Sequence, residues 1–365
     1  MRWPRKTTAS SSGWFRPVER QARVHGGRIV TEAGFGTAAG DFRPPGWLAN
    51  PHVQSIIPSL PFRRPFVEQR CARLLRASVD EILDCGDGVR LLSHHATQAR
   101  LGDKPATRLA VLLHGWEGSA SSLYILSLAQ HLFERGFDVV RLNLRDHGDS
   151  HHLNPELFHS CRIAEVVGAV RRLQSLYPTQ ALNLVGFSLG GNFCLRVAAR
   201  AAAAGIDLAQ VVAVCPVIDP EHTMAQLERG WVLYRRYFIW KWRRSLRRKQ
   251  AAWPGLYDLG DALQLETLTD MTERLVRLFG DYPTMSDYLR GYAIVDGALA
   301  GIVHPTRIIS AADDPIIPAA DLARLARPAA LEITCTRFGG HCGFYEGGRG
   351  STWIEREVHA TLERG

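Results

Sequence analysis

Ser188 stands in Gly186-Phe-Ser188-Leu-Gly190, with a further Gly191, where an apolar run gives way to a helical one. Small residues two before and two after a serine permit a sharp turn that lifts its Oγ above a sheet, at the positive end of the following helix. A hydroxyl attacks an acyl carbon only when a base takes its proton. His341, flanked by Gly339-Gly340 and Gly343, is the candidate base, and Asp313-Asp314 supplies the acid that orients it. All three follow apolar runs in the order Ser, Asp, His, which is the order of this relay on an α/β sheet. Asp314 is chosen over Asp313 because its spacing to Pro318 sets it at the loop turn, leaving Asp313 to hydrogen-bond the loop. Singly, each residue has an ordinary reading, a glycine-bearing turn with an incidental serine or an exposed loop histidine. Order and context together favour the relay.

An acyl-transfer site also needs two donors for the oxyanion. His114-Gly115-Trp116-Glu117-Gly118 follows another apolar run and nominates the backbone N–H of Trp116, with the N–H of Leu189, the residue after the serine, as its partner. His114 itself reads as a brace for that loop.

Holding these residues requires a sheet. Apolar, β-branched runs at 109–113, 139–144, 182–187, 211–217, 307–310 and 332–338 have the length of buried parallel strands, and helical stretches at 123–135, 163–176 and 189–204 lie between them. A hairpin is expected around Gly86-Asp-Gly88, ahead of the alternation. The pattern predicts a mostly parallel, doubly wound α/β sheet, whose sites collect at the carboxyl ends of its strands. One connection, 219–300, is far longer than a crossover needs and reads as a helical insertion that caps those ends. Residues 1–40 read as a disordered basic tail and 41–365 as the folded domain. The stretch 41–65, with six prolines, is expected to run extended over the folded body.

Composition sets outer limits. With 46% hydrophobic and 22% charged residues, the 365-residue chain can bury a large core. No apolar run reaches the length of a bilayer span, and the first residues lack the apolar region of a secretion signal. Seven scattered cysteines without a C-x-x-C pair fit neither a disulfide framework nor a zinc ribbon, so a cytoplasmic location is expected. The formal net charge of +8 is concentrated: residues 1–30 hold seven Lys or Arg against one acid, and 229–249 hold nine against none, which leaves the remainder net acidic. Charge in two short segments argues for local contact with something anionic rather than for a nucleic-acid-binding fold.

In 229–249 (RGWVLYRRYFIWKWRRSLRRK), Trp231, Tyr234, Phe238, Trp242 and Leu246 would share one helical stripe, with Arg236, Arg243, Arg244, Arg247 and Arg248 mostly away from it. Either the stripe seats the cap on the core, or it lies on an anionic membrane surface at the inner face of the membrane. The histidines His147, His151, His152 and His159 invite a metal reading, but they fall in the loop after the 139–144 run and lack an H-x-x-x-H pair on a predicted helix with a partner acid.

The chain resembles the YheT-like α/β-hydrolases, relatives of the animal abhydrolase-domain lipases and esterases. The matching pieces are Trp47-Leu-Ala-Asn-Pro-His-Val-Gln54, His114-Gly-Trp-Glu-Gly118, Asn143-Leu-Arg145, Gly186-Phe-Ser-Leu-Gly-Gly-Asn192, Asp313-Asp-Pro315 and Gly339-Gly-His-Cys-Gly-Phe344. It departs after Arg145, where the family usually has a Gly-Cys-Ser-Gly type turn and this chain has Asp146-His-Gly-Asp-Ser150. The resemblance implies an α/β-hydrolase fold and a serine esterase with Ser188 as nucleophile, Asp314 as acid and His341 as base. Its substrates would be small carboxylic esters, acyl or lipid-like, and the chemistry calls for no metal or organic cofactor. Two alternatives keep the same residues: an acyltransferase that passes the acyl group to another acceptor, and a catalytically silent lipid-binding scaffold.

Overall fold

Strand β3 (Arg108–Leu113) shows how the architecture follows from the sequence. Every residue after Arg108 is buried, but successive side chains point to opposite faces, so Leu109, Val111 and Leu113 enter one apolar core and Ala110 and Leu112 the other. A strand apolar on both faces is stable only between two layers of helix. The same holds for β4 (Asp138–Leu142), β5 (Ala181–Phe187) and β6 (Gln210–Val214). With β7 (Thr306–Ala311) and β8 (Leu331–Thr336) they pair in parallel, and the hairpin β1 (Ser78–Asp84) and β2 (Arg90–Ala96) adds two antiparallel strands. The sheet order is β1-β2-β4-β3-β5-β6-β7-β8.

The computed structural model describes residues 42–279, 281–348 and 352–364, all within one compact unit, Thr37–Gly365. The tail expected at 1–40 lies outside the described residues. In chain order the helices are α1 (Pro51–Ile56), α2 (Arg64–Arg70), α3 (Ala72–Ala77), α4 (Leu123–Phe133), α5 (Ile163–Leu176), α6 (Leu189–Ala198), α7 (Ala201–Ala204), α8 (Pro220–Arg229), α9 (Val232–Ala252), α10 (Leu268–Phe279), α11 (Met285–Arg290) and α12 (Trp353–Leu362). Side chains of α5 and α6 enter the core on one face of the sheet, and those of α4 and α12 enter the core on the other. Four helices, α8 to α11, fill the long connection between β6 and β7. No helix among the described residues is long and apolar enough to cross a membrane.

Three sequence expectations are corrected. The strand expected to reach 217 ends at Val214, because Cys215 takes a left-handed backbone (φ 43°) that turns the chain out of the sheet. The helix expected over 189–204 is broken into α6 and α7 at Arg200, whose φ of −112° leaves the helical range. Of the stretch 41–65, residues 46–65 are not extended but largely a chain of short helical turns, one of them α1. Proline in the first turn of a helix removes no needed donor, so Pro51 starts α1 instead of preventing it. Asn50 caps that start, its side-chain oxygen accepting from the amides of His52 (2.9 Å) and Val53 (3.3 Å).

Candidate active site

At the end of β5 the chain makes the turn that the glycine spacing foreshadows. Ser188 has φ 53° and ψ −118°, a strained conformation for a residue with a side chain, and α6 begins at the next residue. The neighbouring glycines are demanded by contact: a Cβ on Gly186 would lie 2.2 Å from the Gly190 carbonyl oxygen, and one on Gly190 would lie 2.4 Å from that of Leu113. The Ser188 amide donates to Val214 O (2.9 Å), tying the turn to the end of β6.

Ser188, Asp314 and His341 meet above the strand ends. His341 Nε2 lies 2.9 Å from Ser188 Oγ, and its Nδ1 lies 2.8 Å from Asp314 Oδ2. The other Asp314 oxygen accepts from the amides of Ile316 (2.8 Å) and Ile317 (2.9 Å), which fixes the carboxylate with both oxygens occupied. Asp313 points elsewhere and accepts from the Gly340 amide at 2.9 Å, holding the histidine loop. Of the two adjacent acids, Asp314 is the one within hydrogen-bond reach of the His341 ring.

Burial lowers the His341 pKa, but the Asp314 carboxylate and the neighbouring Cys342 outweigh it and hold the ring well above its usual 6.5. Burial likewise raises the Cys342 thiol, yet its hydrogen bond with Cys215 and the adjacent imidazolium bring it down to about 6. The two groups stabilise each other's charge.

The loop after β3 comes close to the serine, since a Cβ on Gly115 would lie 3.1 Å from Ser188 Cβ. The amides of Trp116 and Leu189 have no acceptor among the described residues. His114 is fully buried and uses both nitrogens internally: Nδ1 meets Gly115 O (2.8 Å), and Nε2 accepts from the Leu144 amide (3.2 Å). It braces the loop as expected.

The histidine cluster does not converge. His147 bridges Arg145 O (2.7 Å) and the Glu117 amide (3.1 Å), His151 meets Ser245 Oγ (3.0 Å), His152 is exposed, and His159 faces Asp281 (3.6 Å). His147 and His151 are each bonded to a separate partner, and the four rings share none.

Two positioning residues escaped the sequence reading. Gln54, fully buried, donates to Leu48 O (2.9 Å) and Tyr345 O (2.8 Å) and accepts from the Tyr345 amide (2.7 Å). Ser55 Oγ accepts from the His341 amide at 2.8 Å. Helix α1 therefore braces the histidine loop from below, across almost three hundred residues of sequence. Asn50 and Pro51, a helix-start signal, were the available clue.

Next to the site, on the side of Trp116 and Leu189, lies a largely apolar cavity of about 140 Å³, lined further by Leu227, Trp242 and Val276 from the inserted helices. The Trp116 ring stacks on Phe238 (5.3 Å) and meets Trp242 edge-on (5.2 Å), so α9 holds the loop that carries one oxyanion candidate. The expected aromatic stripe of α9 is thus turned inward: Tyr234 and Leu246 are buried, and Phe238 and Trp242 pack on the core. Trp231 departs from it, being 43% exposed.

The loop that departs from the family pattern is where α9 is fastened. Lys249 Nζ donates to Asp146 Oδ1 (2.7 Å), Asn154 O (2.6 Å) and Glu156 O (2.9 Å), with both charges buried. Burial pushes the Asp146 carboxyl up and the Lys249 ammonium down, against the attraction between them. Two of the helix's arginines add ties nearer the surface. Arg243 donates to Gln264 O (3.1 Å) and Leu265 O (2.7 Å), and Arg248 to Gly148 O (3.2 Å).

A strained serine between strand and helix, facing a histidine and an acid on later strand ends of a mostly parallel sheet, defines a class. A family model described as the alpha/beta hydrolase fold matches residues 110–347, and the chain belongs to that family. It is 29% identical to the Escherichia coli (strain K12) protein YheT, whose name carries the word esterase, over 90% of this chain and 95% of that one. It is 24% identical to the Mus musculus phospholipase ABHD3 across 70% of this chain and 64% of that protein. Among solved structures, the Pyrococcus furiosus esterase Pf2001 has a TM-score of 0.53 at 15% identity, over 80% of this chain and 94% of that one, a likeness of fold.

Proposed function

We propose that the chain is a serine hydrolase of carboxylic esters. The observation that carries this reading is the unbroken line from Ser188 Oγ through the His341 ring to Asp314 Oδ2, with hydrogen bonds of 2.9 and 2.8 Å. His341 takes the Ser188 proton as Oγ attacks the ester carbonyl, and the Trp116 and Leu189 amides hold the oxyanion. Asp314 keeps the Nδ1 proton in place and stabilises the imidazolium. His341 then protonates the leaving alcohol, and water, activated by the same ring, releases the acid from the acyl-enzyme.

The inserted residues 219–300 serve as a cap, and the apolar cavity beneath them supports an acyl or lipid-like chain as the group held. The relatives named esterase and phospholipase point the same way. The test is labelling with a fluorophosphonate, followed by p-nitrophenyl esters of increasing chain length. Ser188→Ala should lose labelling and about 10⁴-fold or more of kcat/KM while its melting temperature is retained. Ester turnover by the variant at the parent's rate overturns the assignment.

A second face of α9 favours peripheral contact with an anionic membrane. Leu233, Arg236, Tyr237, Trp240, Arg244 and Arg247 are exposed and recur at helical spacing along the side opposite the packed stripe. The Arg244 guanidinium lies over the Trp240 ring at 5.9 Å. Replacing Arg236, Arg244 and Arg247 with Gln should weaken binding to phosphatidylserine vesicles by about 1 kcal/mol per residue, and more salt should weaken the parent's binding. Unchanged, salt-insensitive binding overturns the contact.

A further inference from the structure

Beside His341 lie two cysteines that ester hydrolysis does not use. Cys215 leaves the end of β6 and Cys342 follows the histidine, both with left-handed backbones (φ 43° and 59°). The Cys342 amide donates to Cys215 Sγ at 3.4 Å, Cys342 Sγ meets Val214 O at 3.6 Å, and Cys215 Sγ meets Gly340 O at 3.8 Å. Both thiols are free. Their sulfurs and a ring nitrogen of His341 all lie within 4.8 Å of one another.

Two sulfurs and an imidazole nitrogen form a donor set that zinc accepts. Zinc–sulfur bonds of about 2.3 Å at tetrahedral angles put neighbouring ligand atoms roughly 3.5 to 4 Å apart. Side-chain rotation by about an ångström brings the three to that spacing. The fourth position would be open, as in zinc sites that keep a water. The histidine decides the consequence. Its Nδ1 is committed to Asp314 and its Nε2 to Ser188, so whichever nitrogen turns to a metal must give up one partner of the relay.

We propose that Cys215, Cys342 and His341 form an inhibitory site for a thiophilic divalent cation, with Zn²⁺ as the case to test. Binding releases to solvent the Cys215 thiol proton, any proton still on Cys342 and the extra proton of the His341 imidazolium, takes His341 out of proton transfer, and is reversed by chelation. The inhibitory consequence rests on the reading of His341 as the base, but the binding does not.

The experiment therefore measures binding and turnover separately. The full chain, reduced and then freed of reductant without air, is titrated with Co²⁺. The expected result is a thiolate-to-cobalt charge-transfer band that saturates at one ion per chain and is displaced by Zn²⁺. Cys215→Ala and Cys342→Ser should each weaken binding by more than about 100-fold, beyond what loss of an outer hydrogen bond costs. In the parent, Zn²⁺ should stop ester hydrolysis over the range in which it displaces Co²⁺, and a chelator should restore it. Both variants should keep their turnover on the alkaline plateau and resist Zn²⁺ there, and their melting curves check the fold. Absence of the band, or equal Zn²⁺ inhibition of the parent and both folded variants, overturns the proposal. So does a Cys215–Cys342 disulfide as the stable state under reducing conditions. A chain that binds Co²⁺ with the band but hydrolyses no ester keeps the site and removes the hydrolase reading instead.

Discussion

The strand-end site and the inserted helices are held by different kinds of interaction. At the site, backbone does the positioning: the left-handed Ser188, two amides on Asp314, one amide on Asp313 and close glycine contacts. The insertion is held by long side chains reaching across about a hundred residues, with Lys249 on Asp146 and Trp253 Nε1 on His151 O (2.9 Å). Backbone placement tolerates little variation in the chemistry it presents. Side-chain attachment leaves a cap whose lining can change while the reacting atoms stay in place, which suits a fold that carries many substrates on one mechanism.

Three perturbations separate the two regions. The largest effect on stability is expected at the attachment. Lys249→Met removes three hydrogen bonds and leaves Asp146 buried without its partner, a loss of about 3 to 5 kcal/mol by denaturant unfolding. The double variant Asp146→Asn with Lys249→Met should lose less, because no lone charge is then buried. Equal losses would show that packing, not the ion pair, fastens α9.

A smaller effect is expected from Trp242→Ala. It removes a wall of the cavity and the edge contact on Trp116. The value of kcat/KM should fall for long-chain esters by about tenfold more than for acetate, since each buried methylene is worth about 0.8 kcal/mol. An equal fall for all chain lengths would assign Trp242 to the oxyanion loop rather than to the acyl pocket.

The subtlest change concerns the site itself. In the proposed mechanism His341 is the base and must be neutral, and its pKa is raised, so activity is expected to be lost as pH falls through a value above 6.5. Cys342→Ser removes the neighbouring thiolate and should move that acid limb to lower pH, leaving the alkaline plateau unchanged. A limb that stays put would mean that Asp314 alone sets the histidine.

How much could be foreseen divides along the same line. The strands and the turn at Ser188 were legible because they rest on local signals, apolar periodicity and glycine spacing, whereas the sheet order was not. The proline spacing nominated Asp314 over Asp313, and Asp314 is the one that meets the His341 ring. Misreadings arose where partners are distant. Six prolines suggested an extended run at 41–65, but α1 forms there because its first turn tolerates Pro51 and its side chains find the His341 loop. The aromatic stripe of α9 was legible, but the partners of its charges were not: Lys249 is buried and Arg243 is tied to backbone carbonyls.

The amino-acid sequence by itself determined the α/β class and the strands to within a few residues, and it nominated Ser188, Asp314 and His341, because each of these follows from a pattern within a few residues. Only the tertiary structure decided which face of α9 meets the core, what Asp146 holds, and that Cys215 and Cys342 flank the same histidine. Those pairings join residues about a hundred positions apart, and no local periodicity encodes a contact made only when distant strand ends close on one another.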